Sequence, residues 1–286
     1  MSIQTQAQSK FINSNGIKLH YLDYPGAEPM LILLHGLSAN AWSLDPLARK
    51  LSPHFHVLSV DLRGRGLSDK PASGYSMDDH AKDVIAMIDG LGKKQVVLGG
   101  HSFGGFLALY VAAQYPEHVS RLVLLDAGLT HPKVGELIGP SLARLGKTWP
   151  SWEGFLQLMK QSPAMRGFWD SDMEHYYRAD VMTNADGSVT TRATAANITE
   201  ASAGLGAVNW VEIFGKVEQE AILVNAPGPC GPDGTPAVIP GEQGRMTASM
   251  LPHCQYVEVP GNHYTMLWSM GVGQMAAAVE TFLNEP

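Results

Sequence analysis

"VVLGGHSFGG", Val96 to Gly105, sets one serine among glycines, between a β-branched apolar run and the equally apolar "FLALYVAAQY". Gly100 stands two residues before Ser102 and Gly104 two after it. A strand, a very sharp turn and a helix in direct succession fit this string. Small neighbours let strand and helix approach closely enough for the serine to take a strained backbone conformation. Its hydroxyl then stands at the carboxyl edge of a sheet, near the positive end of the following helix. In that reading the crowding presents Oγ to a substrate. A glycine-rich turn with an incidental serine would look the same locally, so the rest of the chain has to decide.

Upstream, "KFINSNGIKLHYLDY" reads as a hairpin turning at Asn15-Gly16. "MLILLHG" is apolar throughout, as parallel strands covered on both faces tend to be. Helix-like "AWSLDPLARKL", strand "FHVLSVDLRG", helix "SMDDHAKDVIAMIDGL" and strand "QVVLGG" follow, and beyond the serine come helix "FGGFLALYVAAQYP" and strand "RLVLLDAG". This alternation predicts an α/β fold with a mostly parallel central sheet covered by helices. From about Thr130 to Lys216 the rhythm changes. "VGELIGPSLARL", "SWEGFLQLMKQS", "SDMEHYYRADVM" and "VNWVEIFGKV" are helix-like, with no convincing buried strand between them. Residues 130–216 are therefore expected to form an inserted helical cap between two parts of one core domain, 1–129 and 217–286. The strand–helix rhythm resumes at "EAILVNAP" and continues through "GEQGRMTASML", "CQYVEVPG" and "GQMAAAVETFLN".

The chain resembles the α/β-hydrolase fold family over nearly its whole length. "LLHGLSANAW" is similar to the family's His-Gly loop, "VDLRGRGLSDKP" to its strand-four signature, "GHSFGG" to its nucleophile elbow and "VPGNHYTML" to the loop holding its histidine. A phosphate-binding reading of the glycines fails, because no Walker lysine or G-x-G-x-x-G arrangement follows a strand.

A serine hydroxyl needs a base, and the base needs an orienting partner. The resemblance implies the chain order serine, acid, histidine. Among 11 histidines, His263 is the expected base, lying in a glycine-containing loop after "CQYVEVPG". His35 is expected to shape the His-Gly loop, His101 to pack beside the elbow, and His80 to be a capping or surface residue. Most relatives carry the acid after the strand that follows the cap, which here offers Asp233; a minority carry it after strand six, which here offers Asp126 at the end of "LVLLD". An aspartate ending a buried strand needs a polar partner, and "VPGNHYTML" is closest to that minority. Asp126 is favoured and Asp233 is the alternative. The resemblance also implies an oxyanion hole from the backbone N–H groups of Leu37 and Phe103, with Gly100, Gly104 and Gly105 as geometric supports.

The cap segment carries Trp149, Trp152, Phe155, Phe168, Trp169, Tyr176, Tyr177 and Trp210, besides Met159 and Met165. Most are expected in its own core, with a minority lining an apolar pocket above Ser102. Arg166, Arg178 and Arg192 are the cap cations singled out for a substrate carboxylate, although each taken singly reads as solvent-facing. The expectation is a serine hydrolase acting through an acyl-enzyme on a carboxylic ester or lactone of modest, mostly apolar character. Thioester hydrolysis, C–C hydrolysis, a cofactor-free oxygenase or lyase, and a ligand receptor with a silent triad share these residues. Serine at the elbow excludes the aspartate nucleophile of epoxide hydrolases of this fold.

Composition narrows the field. The chain has 286 residues, 45% hydrophobic and 16% charged, with 20 basic against 27 acidic side chains and a net charge of −7. That describes a globular protein with a substantial core and argues against a nucleic-acid partner. The two cysteines, Cys230 and Cys254, have no metal-site spacing and read as thiols. No H-E-x-x-H occurs, and "DMEHYY" reads as a polar helix face, so neither a metal nor a cofactor is expected. "MSIQTQAQSK" lacks the apolar centre of a signal peptide, and no apolar run reaches membrane-spanning length. A cytoplasmic monomer or homodimer acting on a small molecule, away from membranes, is the expectation.

Overall fold

The computed structural model describes residues 6–165, 167–232 and 234–285. Eight strands form one sheet: β1 (Gln8–Ser14), β2 (Ile17–Tyr24), β3 (Met30–Leu34), β4 (His56–Val60), β5 (Val96–His101), β6 (Val119–Leu125), β10 (Glu220–Asn225) and β11 (Cys254–Glu258). Their order is β1-β2-β4-β3-β5-β6-β10-β11. The β1–β2 and β2–β4 pairs are antiparallel, and every later pair is parallel. Ser14 pairs with Ile17 across the predicted turn. Asn15 and Gly16 both take positive φ, 48° and 79°, as a two-residue hairpin of this type requires.

Consecutive residues of the parallel strands feed two different cores. Leu31, Leu33, Val123 and Val224 belong to the cluster packed against α1 (Asp45–Leu51) and α10 (Val272–Asn284). Ile32, Leu34, Leu122 and Leu223 belong to the cluster under α2 (Met77–Gly90), α3 (Phe103–Gln114) and α9 (Gly241–Ser249). Side chains alternate across a pleat, so only a strand covered on both faces can be apolar at every position. Helix α2 starts at a reciprocal capping box between Ser76 and Asp79. Arg63, from the strand-four signature, makes a buried two-pronged contact with Asp83 on α2, at 2.6 and 2.5 Å.

Between β6 and β10 none of the described residues joins this sheet. It contains α4 (Val134–Leu142), α5 (Trp152–Lys160), α6 (Ser171–Asp180), α7 (Ala195–Gly206) and α8 (Trp210–Phe214). It also holds a small antiparallel sheet of β7 (Thr148–Trp149), β8 (Val181–Thr183) and β9 (Val189–Thr191), so the segment is not purely helical. Two- and three-residue strands that are partly exposed leave no apolar run to read. Phe155, Met159, Tyr176 and Tyr177 merge with the α1/α10 core, and Trp149, Trp152 and Trp169 pack on it. Trp210 lies against Phe106 and Phe214 on the opposite side, and Phe168 is 38% exposed. Among the described residues, no helix is long and apolar enough to cross a membrane.

Candidate active site

Ser102 links β5 to α3 with φ 53° and ψ −118°, a region that costs a non-glycine residue of order 1–3 kcal/mol. Two glycines make the turn possible. A Cβ on Gly100 would stand 2.4 Å from the Gly104 carbonyl carbon, and one on Gly104 would stand 2.0 Å from the Leu34 carbonyl oxygen. The Ser102 hydroxyl makes no hydrogen bond among the described residues, and Ser102 and His263 line one cavity.

His263 is buried, and its Nδ1 lies 2.7 Å from Asp126 Oδ2. Asp126 directly follows β6 with φ 47° and is 1% exposed. Its other oxygen, Oδ1, accepts from Asn225 Nδ2 at 2.6 Å and from the Ala226 N–H at 2.9 Å. Nitrogen partners thus meet both oxygens, as a fully buried carboxylate requires. With Nδ1 as the donor to Asp126, Nε2 of His263 is left as the acceptor. The loop carrying His263 is tied by Asn262, whose Oδ1 accepts from the Tyr264 and Thr265 N–H groups at 3.0 Å each. Asn262 Nδ2 reaches the carbonyl of Ala164, in the inserted segment, at 3.0 Å.

The expected neighbours take distinct places. His101 is buried beside His263, ring centroids 4.5 Å apart, and its Nε2 lies 2.8 Å from the His263 carbonyl. Burial drives the His101 pKa well below the ordinary value, the neighbouring His263 adding to the effect. His35 sits under the loop it was expected to shape: Nδ1 meets the Gly36 carbonyl at 2.7 Å and Nε2 accepts the Leu62 N–H at 3.1 Å. Burial pushes its pKa down to about 4. His80 is not a surface residue: it is fully buried, between the Ser76 carbonyl and Arg65, with its ring edge-on to Phe103. Leu37 lines the cavity, and its N–H has no acceptor among the described residues. The Phe103 N–H, at the first position of α3, has no intrahelical acceptor. Asp233 and Arg166 lie outside the described residues.

The cavity has about 70 Å³ of free space, where one water needs about 10–15 Å³ on the same measure. Met165, Tyr176, Tyr177, Tyr264 and Trp268 supply much of its wall. Ser141, Arg144 and Tyr177 also face a neighbouring cavity of about 420 Å³. Neither Arg178 nor Arg192 lines the cavity that holds Ser102 and His263. Arg178 bonds Thr183 and covers the Trp152 ring, and Arg192 bonds the Ala179 carbonyl. Among the described residues the cation in the wall is Arg144, paired with Asp180 at 2.9 Å and 5% exposed. Sequence reasoning passed over it, although a lone cation inside "SLARL" is the available signal. It also missed Asn225, whose signal is a polar residue closing the apolar run "AILV".

A second Ser–His–Asp arrangement has the same His–Asp spacing, and there the serine hydroxyl is hydrogen-bonded to the histidine. Ser9 Oγ lies 2.8 Å from His20 Nε2, and His20 Nδ1 lies 2.7 Å from Asp61 Oδ2. Ser9 is exposed near the start of edge strand β1, with no helix N-terminus following it. Among the described residues, no group of three or more His, Cys, Asp or Glu side chains is placed to hold a metal ion.

A mostly parallel eight-stranded sheet with a strained serine on its carboxyl edge defines an α/β-hydrolase fold. The family model described as "alpha/beta hydrolase fold" matches residues 29–168, just under half of the chain, and the chain has that fold. It is 39% identical over 101 residues to the 2-(acetamidomethylene)succinate hydrolase of Mesorhizobium japonicum, covering 35% of this chain and 36% of the relative. It is 38% identical over 122 residues to the N-formylmaleamate deformylase of Pseudomonas putida, covering 42% of this chain and 46% of that protein. The matched stretches therefore span less than half of either relative. The crystal structure of E-2-(acetamidomethylene)succinate hydrolase superposes with a TM-score of 0.82 at 23% identity, over 98% of this chain and 100% of that one. At that identity the superposition speaks for the fold alone.

Proposed function

We propose that the protein is a serine hydrolase that cleaves a carboxylic ester or lactone of a small, mostly apolar substrate through an acyl-enzyme. Ser102 is the nucleophile, His263 the base and Asp126 the orienting acid. The observation that carries this reading is the 2.7 Å contact between Asp126 and His263 Nδ1, beside the strained serine and in the same cavity. Nε2 of His263 takes the Ser102 proton as Oγ attacks the carbonyl carbon. The oxyanion is held by the Leu37 and Phe103 N–H groups, each worth about 2.7–4 kcal/mol of barrier lowering. His263 then protonates the leaving oxygen, the acyl-serine forms, and water repeats the sequence to release the acid. The small cavity supports a short acyl group, and the adjoining cavity beyond Tyr177 suits the leaving portion. In this reading the inserted segment acts as a cap.

A second reading is amide hydrolysis on the same machinery. It is favoured by the names of the two relatives, an (acetamidomethylene)succinate hydrolase and a formyl-removing enzyme. A panel of p-nitrophenyl esters of graded acyl length, lactones, thioesters and N-acyl amides, run beside Ser102→Ala, tests both. Turnover of short esters or lactones that vanishes in Ser102→Ala supports the first reading. Turnover confined to amides supports the second, and turnover that survives the substitution refutes both.

A further inference from the structure

We infer that two buried arginines, Arg65 from the turn after β4 and Arg144 from the inserted segment, are positioning residues that lock the loop after β3 so that its Leu37 N–H can serve the oxyanion. The inference rests on the acyl-enzyme reading and adds what holds that donor in place. In a trans peptide the C=O and the following N–H point in opposite directions across one rigid plane. The plane ending in the Leu37 N–H begins with the Gly36 carbonyl, which is engaged by His35 Nδ1 at 2.7 Å and by the Ala39 N–H at 3.1 Å. The next carbonyl, Leu37, accepts from Arg65 Nε at 3.1 Å. The one after it, Ser38, accepts from Arg144 Nη2 at 2.7 Å. Three successive planes are thus pinned, and the soft dihedrals between them have nowhere to turn. Preorganisation of this kind is what makes a backbone N–H effective toward a developing charge.

Both arginines are costly to keep there. Arg65 is fully buried, forms no ion pair with a carboxylate among the described residues, and leaves its Nη2 without an acceptor. Its other hydrogen-bond partners are the Arg63 carbonyl at 2.6 Å and His80 Nε2 at 3.0 Å, and it also faces the Tyr75 ring. Its guanidinium carbon lies 5.5 Å from the centre of the Phe103 ring, so Arg65 touches both residues expected to supply oxyanion donors. A stray buried cation is a poor way to stabilise a fold, which makes the Leu37 carbonyl its most telling contact. Arg144 differs in being neutralised. Asp180 holds Nε at 2.9 Å, and the remaining donors meet the Ser141 and Ser38 carbonyls, Ser38 Oγ and the Tyr176 hydroxyl. No donor is left over for a substrate. Because Asp180, Tyr176 and Ser141 belong to the inserted segment, the third plane is set only when that segment is seated on the core.

The test uses Arg65→Met and the paired Arg144→Met/Asp180→Asn, which leaves no buried charge behind. In the full-length protein, each is expected to lower kcat for a short p-nitrophenyl ester at least about 30-fold, with KM within about threefold. The Ki of an aryl trifluoromethyl ketone, which forms a tetrahedral adduct on Ser102, should rise by the factor that kcat/KM falls. Amide hydrogen exchange should quicken in the peptide spanning 36–39 and stay unchanged in β5 and β6. Folded variants with wild-type exchange at 36–39, or a kcat loss that the ketone does not follow, would overturn the inference. Should either variant fail to fold, Arg65→Lys and Arg144→Lys, which keep the charge and lose the fork, carry the same readings. If the wild type itself shows no Ser102-dependent turnover, the hydrolase reading fails and exchange alone decides: faster exchange at 36–39 supports the clamp, and unchanged exchange overturns it.

Discussion

Replacing Asp126 by asparagine changes one atom and should nearly abolish turnover. Oδ1 faces two donors, the Asn225 amide at 2.6 Å and the Ala226 N–H at 2.9 Å, whereas Oδ2 faces only His263 Nδ1. The asparagine carbonyl will therefore take the Oδ1 place, where turning it over would oppose two N–H groups with an NH2. Its amide nitrogen then meets His263 Nδ1 and donates to it. That forces the proton onto Nε2, the nitrogen that has to accept from Ser102. Loss of the correct tautomer is expected to lower kcat by about 10⁴-fold, or roughly 5 kcal/mol at about 1.36 per decade. KM should move little, and near-UV circular dichroism should not change. Steady-state hydrolysis of a p-nitrophenyl ester, read beside the rate of Ser102 labelling by a fluorophosphonate, measures both effects. An Asp126→Asn enzyme with full turnover would refute the reasoning. Loss of turnover in Asp233→Asn at the same time would name the other acid.

Three further outcomes are expected. Fluorophosphonate should label the wild type at Ser102 and leave Ser102→Ala unlabelled by intact mass; an adduct on Ser9 would show that its relay is also a nucleophile. Gly104→Ala puts a Cβ 2.0 Å from the Leu34 carbonyl oxygen, whereas Gly135→Ala meets nothing within 4 Å. Overpacking costs about 1–3 kcal/mol and occasionally more, so thermal melts should show a large drop for the first and none for the second. Stability should also fall in mild acid. His35 is held neutral by burial, its pKa lowered from 6.5 to about 4, so the unfolded chain takes up the proton first. The stabilisation is complete above about pH 6.5 and is lost as pH falls toward 4, amounting to about 2 kcal/mol by pH 5 from this group. His80 and His101, shifted in the same direction, add to it. A urea midpoint unchanged between pH 7 and pH 5 would contradict this.

What could be read in the sequence was what short-range patterns encode. Leu31 to Leu34 are apolar at every position because both faces of β3 are covered. Asn15-Gly16 and Gly100 to Gly104 announce turns that only small or left-handed residues permit. Asp126 was favoured because a carboxylate closing a buried strand needs a partner, and His263 stands in that place. Helix α7 went unread because "AANITEASAGLG" is built of small residues that scarcely mark a buried face. His80, Arg65 and Arg144 share a different difficulty. Their burial depends on partners far along the chain: Leu37 lies 28 residues from Arg65, and Asp180 lies 36 from Arg144. No local periodicity carries that information.

Ser9 and Ser102 each stand near a His–Asp pair, yet their surroundings differ. Ser9–His20–Asp61 has donor–acceptor spacings of 2.8 and 2.7 Å, as good as any relay needs. Proton transfer alone contributes about 10²–10⁴-fold to a rate, and an exposed strand offers nothing to a tetrahedral oxyanion. At Ser102 the hydroxyl is unpartnered, the backbone is strained, and the N–H groups at the head of α3 and at Leu37 are free to donate. Strain of order 1–3 kcal/mol at the serine is smaller than the 2.7–4 kcal/mol that one oxyanion donor supplies. The strain lowers folding stability while a donor would lower a reaction barrier, so the strained turn is useful only where such donors stand beside the serine. On this argument the pinned carbonyls of Gly36, Leu37 and Ser38, more than the relay itself, separate the two serines.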